Sequence, residues 1–285
     1  MRYFQVIGCT VKGPVREANE DHILVGRFVK NGGRLGIYFD HDDDFLTNYG
    51  LLFAVADGVG GASGGAMASK LALTAIERQF YGVEKAGKRV DDFADMIRSA
   101  AIRANETILK VGSSKPDLSG MGSTISGVCL TPYGYLVFNA GDSRVYRFRN
   151  GVLKPLTRDD SLTTLAVEAG HMSLAEAQAS EARHTLTNCL GSTSFKITVN
   201  PGPELRDNDI LLICSDGLHD LVPHERLEEL LLSSQDMENL IGSLCNEAVI
   251  NGGHDNISII LVRSDILEEE ENIKEPEGQV SEAVE

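Results

Sequence analysis

The sequence predicts an α+β domain built mainly on antiparallel sheet. Three observations carry this. Short β-branched or aromatic runs outnumber helical ones and follow one another in succession. Hairpin-length links such as Thr131-Pro132-Tyr133-Gly134 and Asn150-Gly151 join several of them. The two longest amphipathic segments stand together after the third run instead of alternating with strands.

In chain order, strands are expected at 3–11, 22–28, 51–56, 123–130, 134–139, 145–149, 196–199, 209–214 and 257–262. Helices are expected at 63–81, where Met67, Leu71, Ala75 and Ile76 recur at helical spacing, and at 91–111, where Phe93, Ile97, Ala101 and Ile108 do so. Asp91 and Asp92 open the second of these and suit the positive end of a helix dipole. Shorter helices are expected at 162–169, 174–182, 225–232 and 237–249. Residues 31–49 read as a polar insertion. Its Asp40, Asp42, Asp43 and Asp44 form a solvated loop, without the glycine and distal glutamate of a calcium-binding EF-hand.

A chain of 285 residues makes one large domain or two small ones, and either buries a sizeable core. Its 42 acidic residues against 26 basic ones leave a net charge of −16. That balance argues against nucleic-acid binding, which rests on a basic footprint, and against an anionic membrane surface. Half of it falls in residues 264–285, an acidic tail poor in aromatics and expected to be disordered, so that its removal should cost little turnover. The start has no apolar run of signal-peptide length, and none of the apolar runs is long enough to span a bilayer, so the expected location is the cytoplasm. The five cysteines are odd in number and widely spaced, which reads as buried reduced thiols.

The informative feature is the placing of certain aspartates. Asp57, Asp142 and Asp216 follow strand-like runs, whereas Asp21 and Asp255 precede them. In an antiparallel sheet the end of one strand lies beside the beginning of its neighbour, so these residues can meet at one edge. Each taken singly also reads as an ordinary turn or cap residue. Gathered together they would repel, and a hard divalent cation resolves that repulsion. Glycine beside Asp57 and Asp216 lets the backbone approach a ligand closely.

Six segments in order resemble the metal-dependent protein serine/threonine phosphatases of the phosphatase-2C type. They are Gly13-Pro14-Val15-Arg16-Glu17-Ala18-Asn19-Glu20-Asp21, Asp57-Gly58-Val59-Gly60-Gly61, Gly122-Ser123-Thr124, Gly141-Asp142-Ser143-Arg144, Ser215-Asp216-Gly217-Leu218-His219-Asp220 and Gly253-His254-Asp255-Asn256-Ile257-Ser258. The resemblance covers about residues 3–263 and is to the bacterial members. It implies a central β-sandwich of two mainly antiparallel sheets flanked by helices on both faces, a catalytic domain over 1–263, and metals at one end of the sandwich. It further implies that Asp57 bridges two Mn²⁺ or Mg²⁺ ions, that Asp216 and Asp255 bind one of them, and that the Gly58 carbonyl contacts the other. Glu20 and Asp21 would orient metal-held water, Asp142 and the weaker candidate Asp220 would serve a third ion, and Arg16 would hold the substrate phosphate. Paired cations lower the pKa of a shared water, and an arginine fork matches phosphate oxygens. The implied activity is hydrolysis of phosphoserine and phosphothreonine on proteins by a monomer, with a serine/threonine kinase or its targets as the partners.

One departure tempers the match. Some eukaryotic relatives carry a proton-donating histidine after the Asp-Gly pair, where this chain has Val59, leaving metal-held water as the acid. His22, His219 and His254 adjoin motif acids and read as structural. Residues 157–191 resemble the mobile flap of bacterial relatives, and equally fit a helical pair packed on the body. A non-catalytic phosphoprotein-binding regulator on the same fold is the alternative function. Gly61-Ala62-Ser63-Gly64-Gly65 also matches the G-x-S-x-G elbow of serine hydrolases, but Ser63 stands seven residues past the strand and reads as a helix N-cap.

Overall fold

The computed structural model describes residues 2–85, 87–233 and 236–266, without the side chains of 61–63. Its strands are β1 Arg2–Val11, β2 His22–Val25, β3 Phe28–Lys30, β4 Gly33–Asp40, β5 Leu51–Ala56, β6 Gly58–Val59, β7 Gly122–Ser123, β8 Ile125–Thr131, β9 Gly134–Ala140, β10 Arg144–Arg149, β11 Val152–Pro155, β12 Thr198–Pro201, β13 Asp209–Cys214 and β14 Ile257–Ile266. Its α-helices are α1 Asp44–Tyr49, α2 Gly61–Tyr81, α3 Val90–Ser114, α4 Leu162–Glu168, α5 Leu174–Ala179, α6 Asp216–His219, α7 His224–Ser233 and α8 Met237–Ile250.

Two six-stranded sheets stack face to face, in the orders β11-β10-β13-β14-β1-β4 and β12-β9-β8-β5-β2-β3, and all pairings are antiparallel. Three apolar layers follow from period-2 alternation along the strands. Val6, Ile23, Phe53, Val128, Ile213 and Ile260 fill the space between the sheets. Leu52, Ala54, Ile125 and Phe138 turn outward against α2 and α3. Ile7, Leu212 and Ile259 turn the other way, against α7 and α8. The result is the α-β-β-α sandwich.

The insertion at 31–49 is not the solvated loop its polarity suggests. Leu35, Ile37 and Phe39 alternate inward, so β4 adds an edge strand to β1, and Phe39 stacks on Phe4 at 5.3 Å. Asp43 caps α1 by accepting from the backbone N–H of Phe45 and Leu46 at 2.9 and 3.1 Å. The expected strand at 22–28 breaks after Val25 because Gly26, at φ 59°, starts a hairpin turn into β3. β14 runs three residues beyond the expected domain end at 263, since Ser264, Asp265 and Ile266 pair with Phe4, Tyr3 and Arg2. The rest of the acidic tail, from 267, lies outside the described residues. α2 begins at Gly61, with Gly60 at its N-cap at φ 128°, so Ser63 falls inside the helix and not at its cap; its side chain lies outside the described set.

The antiparallel pairings place the ends of β1, β5, β9 and β13 beside the starts of β14, β2, β8 and β10. Val11 pairs with Ile257, Ala56 with His22, Ala140 with Ile125, and Cys214 with Arg144. That single rim carries the site.

Candidate active site

The loops on this rim bring together Arg16, Glu20, Asp57, Gly58, Asp142, Asp216, Asp220 and Asp255 around a cleft of about 1010 Å³, with Asp21 buried beneath its floor. Asp57 is the first residue past β5. Its N–H donates to Thr124 Oγ1 at 3.0 Å while its carbonyl accepts from Thr124 N–H at 2.8 Å, so the start of β8 fixes its backbone from both sides. Asp216 opens α6, and Asp255 leads into β14. Two glycines let these loops interlock. A Cβ on Gly58 would overlap the Gly65 carbonyl, and one on Gly217 would overlap the carbonyl of Asn256.

Asn256 ties the two ends of the chain at the site. It is 3% exposed; its Nδ2 donates to the carbonyls of Lys12 and Ala18 at 2.9 Å each, and its Oδ1 accepts from Glu20 N–H at 2.7 Å. Ser215 Oγ donates to Asp21 Oδ2 at 2.8 Å. Arg16 Nη2 donates to Asp255 Oδ2 at 2.6 Å, and Asp255 Oδ1 accepts from the N–H of Asn256 at 2.7 Å.

The electrostatics are those of crowded carboxylates. Burial, followed by the facing Asp21, Asp216, Asp142 and Asp255, raises Asp57 well above the usual carboxylate range. Burial lifts Glu20, and it lifts Asp21 to about 7. Burial, with Asp216 beside it, pushes Asp142 to about 8. Burial also pushes Asp216 and Asp220 up, but neighbouring basic side chains outweigh it and hold both below their ordinary values. For Asp216 these are His184 and His219; for Asp220, His219, Arg183 and His184. Two oxygens, Glu20 Oε1 and Asp216 Oδ1, are buried with no hydrogen-bond partner. Orphaned oxygens among mutually repelling carboxylates fit a divalent cation with all-oxygen ligands.

The three histidines beside the motifs take different places. His22 is buried, with Nδ1 2.9 Å from Ser69 Oγ, and burial lowers its pKa to about 4, so it stays neutral. The His219 side chain, 3% exposed, sits between the Asp142 carbonyl, 3.2 Å from Nε2, and Asp220 Oδ1, 3.2 Å from Nδ1. His254 lies at the cleft edge, exposed. Val59 is 42% exposed at the rim.

Sequence reasoning gave no role to Arg183 and His184, at the end of the one-turn 3₁₀ helix Glu181–His184 that follows α5. Backbone bridges Ser161–Leu186 and Ser123–Leu190 pin the base of the 157–191 segment, and the Leu162 N–H donates to the Thr185 carbonyl at 2.8 Å. Arg183 Nε donates to His184 Nε2 at 2.9 Å, and His184 Nδ1 lies 3.7 Å from Asp216 Oδ2 and 3.6 Å from Asp220 Oδ2. The adjacent Asp216 carboxylate raises the pKa of His184. Thus the 157–191 segment reaches the acidic site through two basic side chains.

An α-β-β-α sandwich with cation-ready carboxylates and an arginine on one rim defines a metal-dependent phosphoester-handling domain. The chain belongs to the protein phosphatase 2C family, whose model matches residues 41–244. It is 30% identical over 260 residues to the serine/threonine phosphatase stp of Listeria monocytogenes, covering 91% of this chain and 95% of that one. Its fold superposes on the crystal structure of the Mycobacterium tuberculosis serine/threonine phosphatase PstP/Ppp with a TM-score of 0.75 at 26% identity, covering 92% and 98% of the two chains. A structure of the PstP catalytic domain in complex with two manganese ions gives a TM-score of 0.71 at 25% identity, covering 93% and 100%.

Proposed function

We propose that this protein is a metal-dependent phosphatase that hydrolyses phosphoserine and phosphothreonine on proteins. The carrying observation is the cluster of crowded, partly orphaned carboxylates that shares one cleft with Arg16. The relatives' names and the two manganese ions described for PstP support it.

Asp57, Asp216 and Asp255, with the Gly58 carbonyl, would hold two Mn²⁺ or Mg²⁺ ions, Asp57 shared between them. Asp142 and Asp220 would serve a third ion. Such paired cations supply a water of lowered pKa and offset charge on the phosphoryl oxygens. Glu20 and Asp21 orient water on the inner side of the cleft. Arg16 exchanges Asp255 for the substrate phosphate, its planar fork gripping two non-bridging oxygens and drawing off charge as the ester bond breaks. Val59 has no proton to give, so the leaving alcohol takes its proton from water in the cleft. The substrates in this scheme are phosphoproteins made by a serine/threonine kinase in the cytoplasm, met by a monomeric enzyme. Among the described residues no helix is long and apolar enough to cross a membrane.

The test is turnover of a phosphothreonine peptide and of p-nitrophenyl phosphate with Mn²⁺, abolished by EDTA and by Asp57→Asn. Tight phosphopeptide binding without turnover under saturating Mn²⁺ would establish the non-catalytic regulator instead. Metal-independent activity lost in Ser63→Ala would establish the serine hydrolase.

A further inference from the structure

Away from the cleft, Cys9 on β1 and Cys245 on α8 face each other with their sulfurs 3.7 Å apart, and the Cys245 S–H points at the Cys9 sulfur. The residue paired with Cys9 across the sheet is Arg34 of the edge strand β4. The Arg34 side chain is 48% exposed, and its Nη1 lies 3.6 Å from Glu238 Oε2 on α8, itself 56% exposed. The thiols are thus buried, at 2% and 9% exposure, beneath a surface ion pair of the kind that opens at little cost.

We infer that Cys9 and Cys245 form an oxidation site in which a small hydroperoxide converts the thiol pair to a disulfide joining β1 to α8. Sulfurs already in contact close to a bonded distance of about 2.05 Å by modest side-chain rotation. The Cys245 hydrogen bond, with Arg34 assisting, lowers Cys9 to about 7, whereas burial raises Cys129 and Cys214 out of reach of ionisation. Cys9 is therefore the attacking sulfur. Its thiolate takes one peroxide oxygen, the O–O bond breaks, and hydroxide leaves and is protonated to water. Cys245 sulfur then attacks the resulting sulfenic acid, and its proton leaves with the sulfenic hydroxyl as a second water. Two thiols lose two electrons and one hydrogen peroxide gains them.

The experiment treats the full chain, held in a chelator, with hydrogen peroxide at neutral pH and digests it with trypsin without reduction. The expected product is one linked pair of peptides, 3–12 with 227–263, about 2 Da lighter than the sum of the free peptides and separated by dithiothreitol. Free thiols counted in denaturant fall from five to three. In Cys245→Ser the resolving sulfur is gone, so Cys9 proceeds to the sulfinic acid, about 32 Da heavier. Five intact thiols after treatment of the unsubstituted chain, or linkage of any other cysteine pair, overturns the assignment.

Discussion

Arg16 Nη2 lies 2.6 Å from Asp255 Oδ2, although 239 residues separate the two in sequence. In the proposed mechanism, the arginine that would hold phosphate is thus held against a carboxylate that would hold metal. On that mechanism a cation on Asp255 would weaken the pair and free the guanidinium, so metal loading and phosphate binding would assist one another.

Replacement of Arg16 by alanine is expected to lower kcat/KM for a phosphopeptide by about 10²-fold, the scale of one lost charge-assisted contact in a transition state. Stability should change by less than about 1 kcal/mol, since the Arg16 side chain is 49% exposed and surface ion pairs contribute little. Arg16→Lys restores charge without the fork and should recover only part of the rate. Steady-state kinetics beside a urea melt separate the two effects.

Without metal, the protein should be more stable in mild acid than in mild base. Burial sets Asp21 near 7 and Asp142 near 8, both above their unfolded values near 4. These two groups therefore bind more protons in the folded state than in the unfolded one across this interval, and the stability they contribute falls as pH rises from about 4 to 8. Saturating Mn²⁺ should abolish that slope. Thermal unfolding in EDTA and in Mn²⁺ between pH 5 and 9 checks it; a metal-free Tm that climbs over this range contradicts the placement of the carboxylates.

Asp57→Asn removes one charge from a repelling cluster. In EDTA its Tm should equal or exceed that of the unsubstituted protein, while turnover with Mn²⁺ falls by 10²-fold or more, on the order expected for loss of a metal-sharing ligand. Calorimetric titration of Mn²⁺ should show weakened binding in the same variant.

Asn256→Ala leaves the carbonyls of Lys12 and Ala18 and the Glu20 N–H without their partner. The expected destabilisation is about 2–4 kcal/mol, from several buried polar groups left unsatisfied. Gly217→Ala should be at least as damaging, because its methyl would overlap the backbone carbonyl of Asn256. Urea denaturation measures both.

How much was legible follows from what each residue depends on. Asp57 and Asp216 announce themselves because an apolar run ends at or one residue before each of them and a glycine follows, but their meeting at one rim needs the two sheets to stack, since β5 and β13 lie in different ones. Asn256 stood in a recognised motif, yet its role depends on carbonyls more than two hundred residues away that no spacing reveals. Arg183 and His184 sit in a segment with exposed Leu162, Leu165 and Leu174, and long-range backbone contacts, among them the bridges Ser123–Leu190 and Ser161–Leu186, aim them at Asp216. β4 was hidden because exposed Arg34 and Tyr38 alternate with its inward residues and make the stretch look polar.

β1 and β14 pair along their whole lengths, from Arg2 with Ile266 to Val11 with Ile257. Biosynthesis therefore delivers the first and last strands of the domain at opposite ends of the translation time, and Arg16 waits unpartnered for Asp255 until the ribosome has released nearly the whole domain. No nascent fragment ending before Asp255 holds all the carboxylates of the proposed site, so that site is not assembled until synthesis of the domain is nearly complete.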